Sequence, residues 1–217
     1  MRNSAILSWM VTLLTPVILL GLALRLLLTP IFLRVEYNLP YFPADEYGFT
    51  QEERIYWATL ASNYLINDQG IAFLADLKFS NGSPLFNERE LKHMEDVKKV
   101  TQGALKVWYA SLLGWILLGG WAWFNQRWPA YRLGLKRGGW LTVGLVGIIG
   151  LFGAVAFWQF FTFFHRLFFV GDSWLFDYSD TLIRLFPLRF WQDVFLWAGV
   201  WMVGGGVGLG WGLKQSR

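Results

Sequence analysis

Four stretches of the chain contain no charged residue, and each is long enough to cross the hydrocarbon core of a bilayer as a helix. They cover residues 6–24, 107–124, 140–164 and 194–213. Hydrophobic residues make up 55% of the 217 positions and charged residues only 16%, a balance that ordinary soluble domains do not show. The sequence therefore predicts an all-α, polytopic membrane protein with four transmembrane helices, built as a single domain from residues 1–217.

The charged residues are divided unevenly among the segments that join these helices. Seven bases and no acid lie in the 125–139 connector and at the two chain ends: Arg2, Arg127, Arg132, Lys136, Arg137, Lys214 and Arg217. All fifteen acids lie elsewhere, eleven between residues 36 and 96 and four between 165 and 193. Because Lys and Arg accumulate on the cytoplasmic side of a membrane, both termini are predicted to be cytoplasmic. The segments 34–105 and 165–193 then lie on the outer face.

The first of these outer segments carries the signals of a helical lobe between spans one and two. Thr50 followed by Glu53 has the spacing of a capping box and predicts a helix over 51–67. Asn87 followed by Glu90 predicts a second capped helix over about 88–100. An extracytoplasmic lobe made of helices is the expected structure.

Two histidines, His93 and His165, are the only imidazoles of the chain, and both fall on the predicted outer face. Cysteine is absent, which excludes a disulfide framework, a thiolate metal site and a cysteine nucleophile. The net charge of +4 follows from the topology, so nucleic acid is not a predicted partner. A single histidine is often only a satisfied polar group or an interfacial anchor, but two on one face also fit a shared catalytic site.

A shared site places a demand on the geometry of the chain. If the helix of His93 ran straight into the second span, the 13 residues to Lys106 would raise His93 about 20 Å above the membrane boundary. His165 directly follows the third span and is expected at that boundary. Residues 101–103 are Thr, Gln and Gly, poor helix formers that offer a bend, so that the helix of His93 can lie along the surface. We therefore expect the imidazoles to converge to about the reach of a water-bridged hydrogen bond.

An apolar loop follows His165 and includes residues 167–170 and 174–176. Such a run is costly in water, so we expect it to enter the headgroup region and to leave a laterally open site for a ligand with acyl chains. Trp174 is either a boundary aromatic residue or a wall of this site. Arg25, near the outer end of the first span, and Arg166 are candidates to bind an ester or carboxylate, although both are also placed to extend toward headgroups.

Three segments of the outer regions carry a recognisable pattern: NERELKHMEDVK at 87–98, FHRLFF at 164–169 and DTLIRLFP at 180–187. They resemble the Lit family, the lipoprotein intramolecular transacylases of bacterial membranes, and the likeness extends over nearly the whole chain. The resemblance implies transfer of the sn-2 acyl chain of a diacylglyceryl-modified lipoprotein to the α-amine of its N-terminal cysteine, which leaves a lyso-form. It also implies a bacterial inner-membrane location. The family's two histidines match His93 and His165, and the acid after the first matches Asp96.

This chemistry needs a neutral amine, a base for one proton and a donor for the developing oxyanion. We expect His93, oriented by Asp96, to act as the base and His165 to act as the donor, with the reverse assignment open. Glu90, one turn before His93, is a rival orienting or substrate-binding residue, and Asp96 has a surface ion pair with Lys92 or Lys99 as its alternative role. Because amine and ester belong to one molecule, no metal, cofactor or acyl-enzyme is expected.

Three other classes use the same residues. A metal hydrolase would take the two histidines and a carboxylate as ligands, but no His-Glu-x-x-His pattern supports it. A b-type haem protein would use both histidines as axial ligands. A non-catalytic scaffold would use the aromatic outer loop as an interaction surface. The expected partners are lipoprotein N-termini and membrane lipid, with the chain acting as a monomer.

Overall fold

The computed structural model describes residues 2–171 and 173–213, and of Arg2 only the backbone. Lys214 and Arg217, used above to orient the chain, and Asp172 lie outside the described residues. Within the described part the regular elements are helices, α1 to α9, and no β-strand is present. The helices are α1 (Arg2–Leu27), α2 (Pro30–Tyr37), α3 (Gln51–Ile66), α4 (Ala72–Ala75), α5 (Glu88–Phe124), α6 (Trp128–Val155), α7 (Phe157–Phe168), α8 (Thr181–Leu185) and α9 (Leu188–Gly212). The all-α prediction is confirmed.

Four of these helices are long and apolar enough to cross a membrane: Asn3–Leu27, Glu88–Phe124, Trp128–Val155 and Leu188–Gly212. The predicted number of spans is therefore confirmed, but the bounds of the third are wrong. Its helix begins at Trp128 and includes Arg132, Lys136 and Arg137. A helix can extend beyond the apolar segment that crosses the bilayer, so the apolar run does not mark its start. It ends at Val155, and Ala156 has φ −142° and ψ 58°, outside the helical region. Hydropathy records the apolar run but not this change of backbone conformation.

The chain divides into two compact units. The first contains Met1–Arg25, Ala104–Val155 and Phe195–Arg217. Its helices come into backbone contact at glycines, because a Cβ on Gly139 would lie 2.4 Å from the Gly206 carbonyl oxygen. A Cβ on Gly138 would lie 2.5 Å from Thr15 Cβ. Small residues at such contacts allow the close packing that stabilises helices in lipid, where burial of apolar surface gives no driving force.

The second unit contains Leu26–Gly103 and Ala156–Val194, so the two segments predicted to lie on the outer face belong to one folded unit. Its core joins residues from both segments: Ala61, Tyr64, Leu74, Leu85, Phe86, Met94, Leu182 and Leu185. Both predicted capping signals are present. The Glu53 N–H donates to the Thr50 hydroxyl and the Glu90 N–H donates to the Asn87 side chain. In return, the backbone N–H of each cap residue donates to the carboxylate of its glutamate.

Candidate active site

The two histidines lie together inside the second unit. His93 is in the second turn of α5 and His165 is in the third turn of α7, and their ring centroids are 6.2 Å apart with planes at 18°. Both side chains are buried, with 8% and 7% of their surface exposed. The predicted convergence is confirmed, although the two residues are 72 positions apart in the sequence.

The route to this convergence differs from the predicted one. The helix does not end or break at residues 101–103, because α5 is continuous from Glu88 to Phe124. The interruption comes at Ala156 instead, and His165 lies on the separate helix α7 rather than at the end of a spanning helix. A mid-helix glycine costs only about 1 kcal/mol relative to alanine, so Gly103 weakens a helix without ending it.

A hydrogen bond fixes the tautomer of His165. Its Nδ1 lies 2.8 Å from the carbonyl oxygen of Phe161, one turn earlier on α7. A carbonyl oxygen only accepts, so Nδ1 carries the proton and donates, and Nε2 keeps its lone pair. Burial lowers the pKa of His165 below its usual 6.5, and the bond to the Phe161 carbonyl opposes this shift. His165 is therefore a neutral imidazole with a free basic nitrogen at pH 7.

His93 is held differently. Its Nδ1 is buried and has no hydrogen-bond partner among the residues that the structure describes. The Asp96 carboxylate lies 3.0 Å from Lys99 Nζ in a partly exposed ion pair. The predicted orienting bond from Asp96 to His93 is therefore not the arrangement observed, because the carboxylate is engaged by the lysine one turn further along the helix.

Aromatic rings enclose both imidazoles. His93 has Phe169 at 4.9 Å and Phe176 at 5.3 Å between ring centroids. His165 has Phe161 at 4.1 Å and Trp174 at 4.8 Å. Such walls exclude water and strengthen electrostatic interactions between the groups they enclose. Trp174 is buried against His165, so of its two predicted roles the structure favours a wall of the site.

Comparisons with known proteins agree with this architecture. The family model described as lipoprotein intramolecular transacylase Lit matches residues 7–191. The chain belongs to this family. An uncharacterized protein of Aquifex aeolicus is 31% identical over 201 residues, which cover 90% of this chain and 87% of that protein. As a member of the Lit family, the chain is an acyltransferase and a multi-pass membrane protein.

Solved structures of the lipoprotein intramolecular transacylase Lit from Bacillus cereus have the same fold. One is 18% identical with a TM-score of 0.67, covering 96% of this chain and 93% of that chain. A variant of that enzyme with a histidine changed to alanine gives a TM-score of 0.70 at 19% identity, covering 96% of this chain and 90% of that chain. The helical architecture is thus shared across large sequence divergence.

The remaining candidate residues of this Lit-family chain have varied placements. Glu90 is buried, and its two oxygens accept the amide N–H groups of Leu182 at 2.6 Å and Asn87 at 2.7 Å. Its carboxylate therefore links α5 to the start of α8 rather than orienting His93. Arg166 follows His165 in the last turn of α7, and its side chain is exposed. Arg25 lies in the last turn of α1, within the first unit, and stays a prediction.

One contributor to the site was missed by the sequence reasoning. Phe161 was treated only as part of a spanning helix, yet its ring and its carbonyl both contact His165. The four-residue spacing from Phe161 to His165 could have indicated the contact, once the segment was assigned to a helix. One position before Trp174, Ser173 Oγ is buried without a partner among the described residues. Within the same residues no three His, Cys, Asp or Glu side chains are grouped so that they could hold a metal ion.

Proposed function

We propose that this transacylase moves the sn-2 acyl chain of a diacylglyceryl-modified lipoprotein to the α-amine of its N-terminal cysteine and releases the lyso-form. The observation that carries the proposal is the pair of buried imidazoles, one with its tautomer fixed, enclosed by aromatic rings. A neutral base in an apolar enclosure suits a reaction whose nucleophile is a neutral amine and whose substrate brings acyl chains.

The fixed tautomer supports an assignment of the two proton-transfer roles. His165 Nε2 takes the proton from the attacking amine, because its other nitrogen is committed to the Phe161 carbonyl. The protonated His165 then returns this proton to the departing glycerol oxygen through His93, the nearest other titratable ring, which takes up a proton on one nitrogen as it releases one from the other. This reverses the assignment favoured from the sequence. Because amine and ester belong to one bound molecule, positioning supplies much of the rate enhancement.

The arrangement in the membrane follows the distribution of charge. We place the second unit, with the histidines, on the outer face of a bacterial inner membrane and both termini in the cytoplasm. Residues 125–139, which include the start of α6, carry four bases and no acid, whereas all fifteen acids fall within the second unit. The lipoprotein N-terminus then reaches the site from the side on which lipoproteins are anchored. The chain acts as a monomer in this proposal, since one copy supplies both imidazoles.

Mass spectrometry of a reporter lipoprotein tests the reaction. The N-terminal peptide is analysed from a strain without other N-acylation, with and without this protein. We expect one acyl chain on the cysteine nitrogen and one on the glyceryl group only when the protein is present, and the fragment ions assign the positions. A peptide that keeps both chains on the glyceryl group, despite a folded and inserted protein, would contradict the proposal.

A further inference from the structure

The indole N–H of Trp174 is a hydrogen-bond donor without an acceptor. Trp174 is 7% exposed, and its Nε1 is buried and unpaired among residues 2–171 and 173–213. An indole nitrogen only donates, and burying a donor without an acceptor is destabilising. A phenylalanine would line the site with an aromatic ring at no such cost. The packing of the Trp174 ring therefore does not explain why this position carries an N–H group.

The position of Trp174 gives that explanation. Its ring centroid is 4.8 Å from that of His165, with the planes tilted by 35°, and 6.4 Å from that of Phe161. The carbonyl carbon attacked in the proposed reaction must lie beside the amine that His165 deprotonates. A donor packed against His165 is thus close to the place where negative charge develops on the carbonyl oxygen.

A second unpaired indole shows that a missing partner alone does not mark a residue of the site. The position of the residue also has to place it beside the histidines. Trp115 Nε1 is likewise buried without a partner among the described residues. Trp115 lies in the first unit, where it packs on Tyr131 at 5.9 Å, and both histidines of the chain lie in the second unit. Trp174 combines the unpaired N–H with direct contact to an imidazole of the site.

We propose that the Trp174 Nε1–H donates a hydrogen bond to the carbonyl oxygen of the migrating acyl group and stabilises its oxyanion. This rests on the proposed function. The amine nitrogen bonds to the carbonyl carbon, the C=O electron pair moves to oxygen, and the amine proton goes to His165 Nε2. When the intermediate collapses, the carbon–oxygen bond to the glycerol breaks and the glycerol oxygen receives one proton through His93. The indole keeps its hydrogen throughout, so no further reactant is needed.

The test removes the N–H and keeps the shape of the side chain. Trp174 is replaced by 3-benzothienylalanine, in which sulfur stands in place of the indole nitrogen, and separately by phenylalanine (Trp174→Phe). Loss of one oxyanion donor lowers kcat by about 10²–10³-fold in enzymes where it has been measured. We expect a fall of about that size for both variants in the full-length membrane protein, with KM for a diacylglyceryl lipopeptide unchanged. The melting temperature of each variant shows that it is folded.

The matched control is the same sulfur replacement at Trp115. It deletes an equally buried and unpaired N–H in the unit that contains no histidine, so kcat should stay within about threefold of the unmodified enzyme. A benzothienyl variant at position 174 with the unmodified kcat, or with only a raised KM, overturns the donor role and leaves the proposed function standing. An unmodified enzyme that gives no N-acyl product overturns the proposed function itself. If the benzothienyl variant at position 174 does not fold, the kcat of Trp174→Phe in the same assay tests the donor role.

Discussion

The two units of the molecule treat their buried polar groups in different ways. In the first unit, buried threonines bond to their own helix four residues back: Thr12 to the Ser8 carbonyl, Thr15 to Val11 and Thr142 to Gly138, each at 2.8 Å. In the second unit, several buried bonds join segments far apart in sequence. Arg54 donates to the carbonyls of Pro43 and Arg184, Thr181 donates to Leu85, and Glu90 accepts from Leu182.

This difference shows what each unit has to achieve. Within an apolar helix a hydroxyl finds its most dependable acceptor on the preceding turn, so these threonines are satisfied within their own helices. The Thr12 hydroxyl also lies 3.3 Å from the Gly134 carbonyl oxygen of a neighbouring helix. The second unit consists of short helices and loops, and long-range polar bonds fix their positions. The same unit leaves His93 Nδ1, Ser173 Oγ and Trp174 Nε1 buried and unpaired within the described part of the chain. Groups left open in an otherwise cross-linked unit are suited to a substrate.

Replacing the histidines should give the largest effect and tests whether the chemistry resides in the second unit. We expect His165→Ala to lower kcat by at least about 10³-fold, because it removes the only base with a fixed tautomer, and His93→Ala to lower it by about 10²-fold. Both are measured as N-acyl lipopeptide formed per unit time. Lys92→Ala, an exposed neighbour of His93, is the control and should be unchanged. Small and equal losses of kcat in both histidine variants would show that catalysis does not depend on the histidines of the second unit.

The dependence of rate on pH should reveal the burial of His165. The substrate amine, with a pKa of about 7.7–8.0, and His165 must both be neutral. Because burial places the pKa of His165 below 6.5, log kcat/KM should rise with a slope of one between that pKa and about pH 7.7, and with a slope of two below it. The free energy of unfolding should also fall as the pH drops from 6.5 toward the lower native pKa, since the unfolded chain then binds more protons. A change of slope from two to one at or above pH 6.5 would contradict the buried, neutral base.

Glu90 tests the long-range bonds of the second unit. Glu90→Gln keeps one oxygen for the two amides of Leu182 and Asn87, so one buried N–H loses its acceptor. We expect the free energy of unfolding to fall by about 1–3 kcal/mol, with kcat reduced and KM unchanged. Glu88→Gln, at an exposed position of the same turn, should stay within about 0.5 kcal/mol. Unchanged stability together with a raised KM would instead indicate that Glu90 binds substrate.

Gly139 tests the close packing of the first unit. In Gly139→Ala the new methyl group would meet the Gly206 carbonyl at 2.4 Å, so the helices must separate. Overpacking of this kind costs about 1–3 kcal/mol, measured as a lower melting temperature in detergent. Gly144→Ala is the control, because no atom outside its own stretch of helix lies within 4 Å of the added Cβ. Loss of activity without loss of stability in Gly139→Ala would show that the two units are less separate in function than in structure.

The sequence predicted the local features of both units better than the contacts between distant residues, for a physical reason. Apolar runs and helix caps depend on neighbouring residues, so the number of spans and the caps at Thr50 and Asn87 were readable. The break at Ala156 could not be read, because that stretch is uniformly apolar and its backbone angles depend on tertiary contacts. The family resemblance and a shared membrane face were enough to bring His93 and His165 together.

The partners of the two histidines were harder to read than the histidines themselves. Asp96 has helical spacing to both His93 and Lys99, and spacing alone does not choose between them. The Phe161 carbonyl is a backbone group, which carries no signature in the sequence. The hydrogen bond from the Leu182 N–H to Glu90, 92 positions away, is a long-range contact that local sequence patterns do not contain.

We expect replacement of Asp96 to have the smallest effect on activity. This replacement tests whether the Asp96 carboxylate is used by Lys99 or by His93. Its partly exposed ion pair with Lys99 contributes little to stability, and no hydrogen bond joins it to His93 in the described structure. We expect Asp96→Asn to keep kcat and KM within about twofold and to leave the pH profile in place. A tenfold loss of kcat that Lys99→Met does not reproduce would show that the carboxylate turns to His93 once substrate is bound. His93 would then be oriented by a residue of its own helix, just as the threonines of the first unit bond within their own helices. The contrast between the units would in that case hold for stability but not for catalysis.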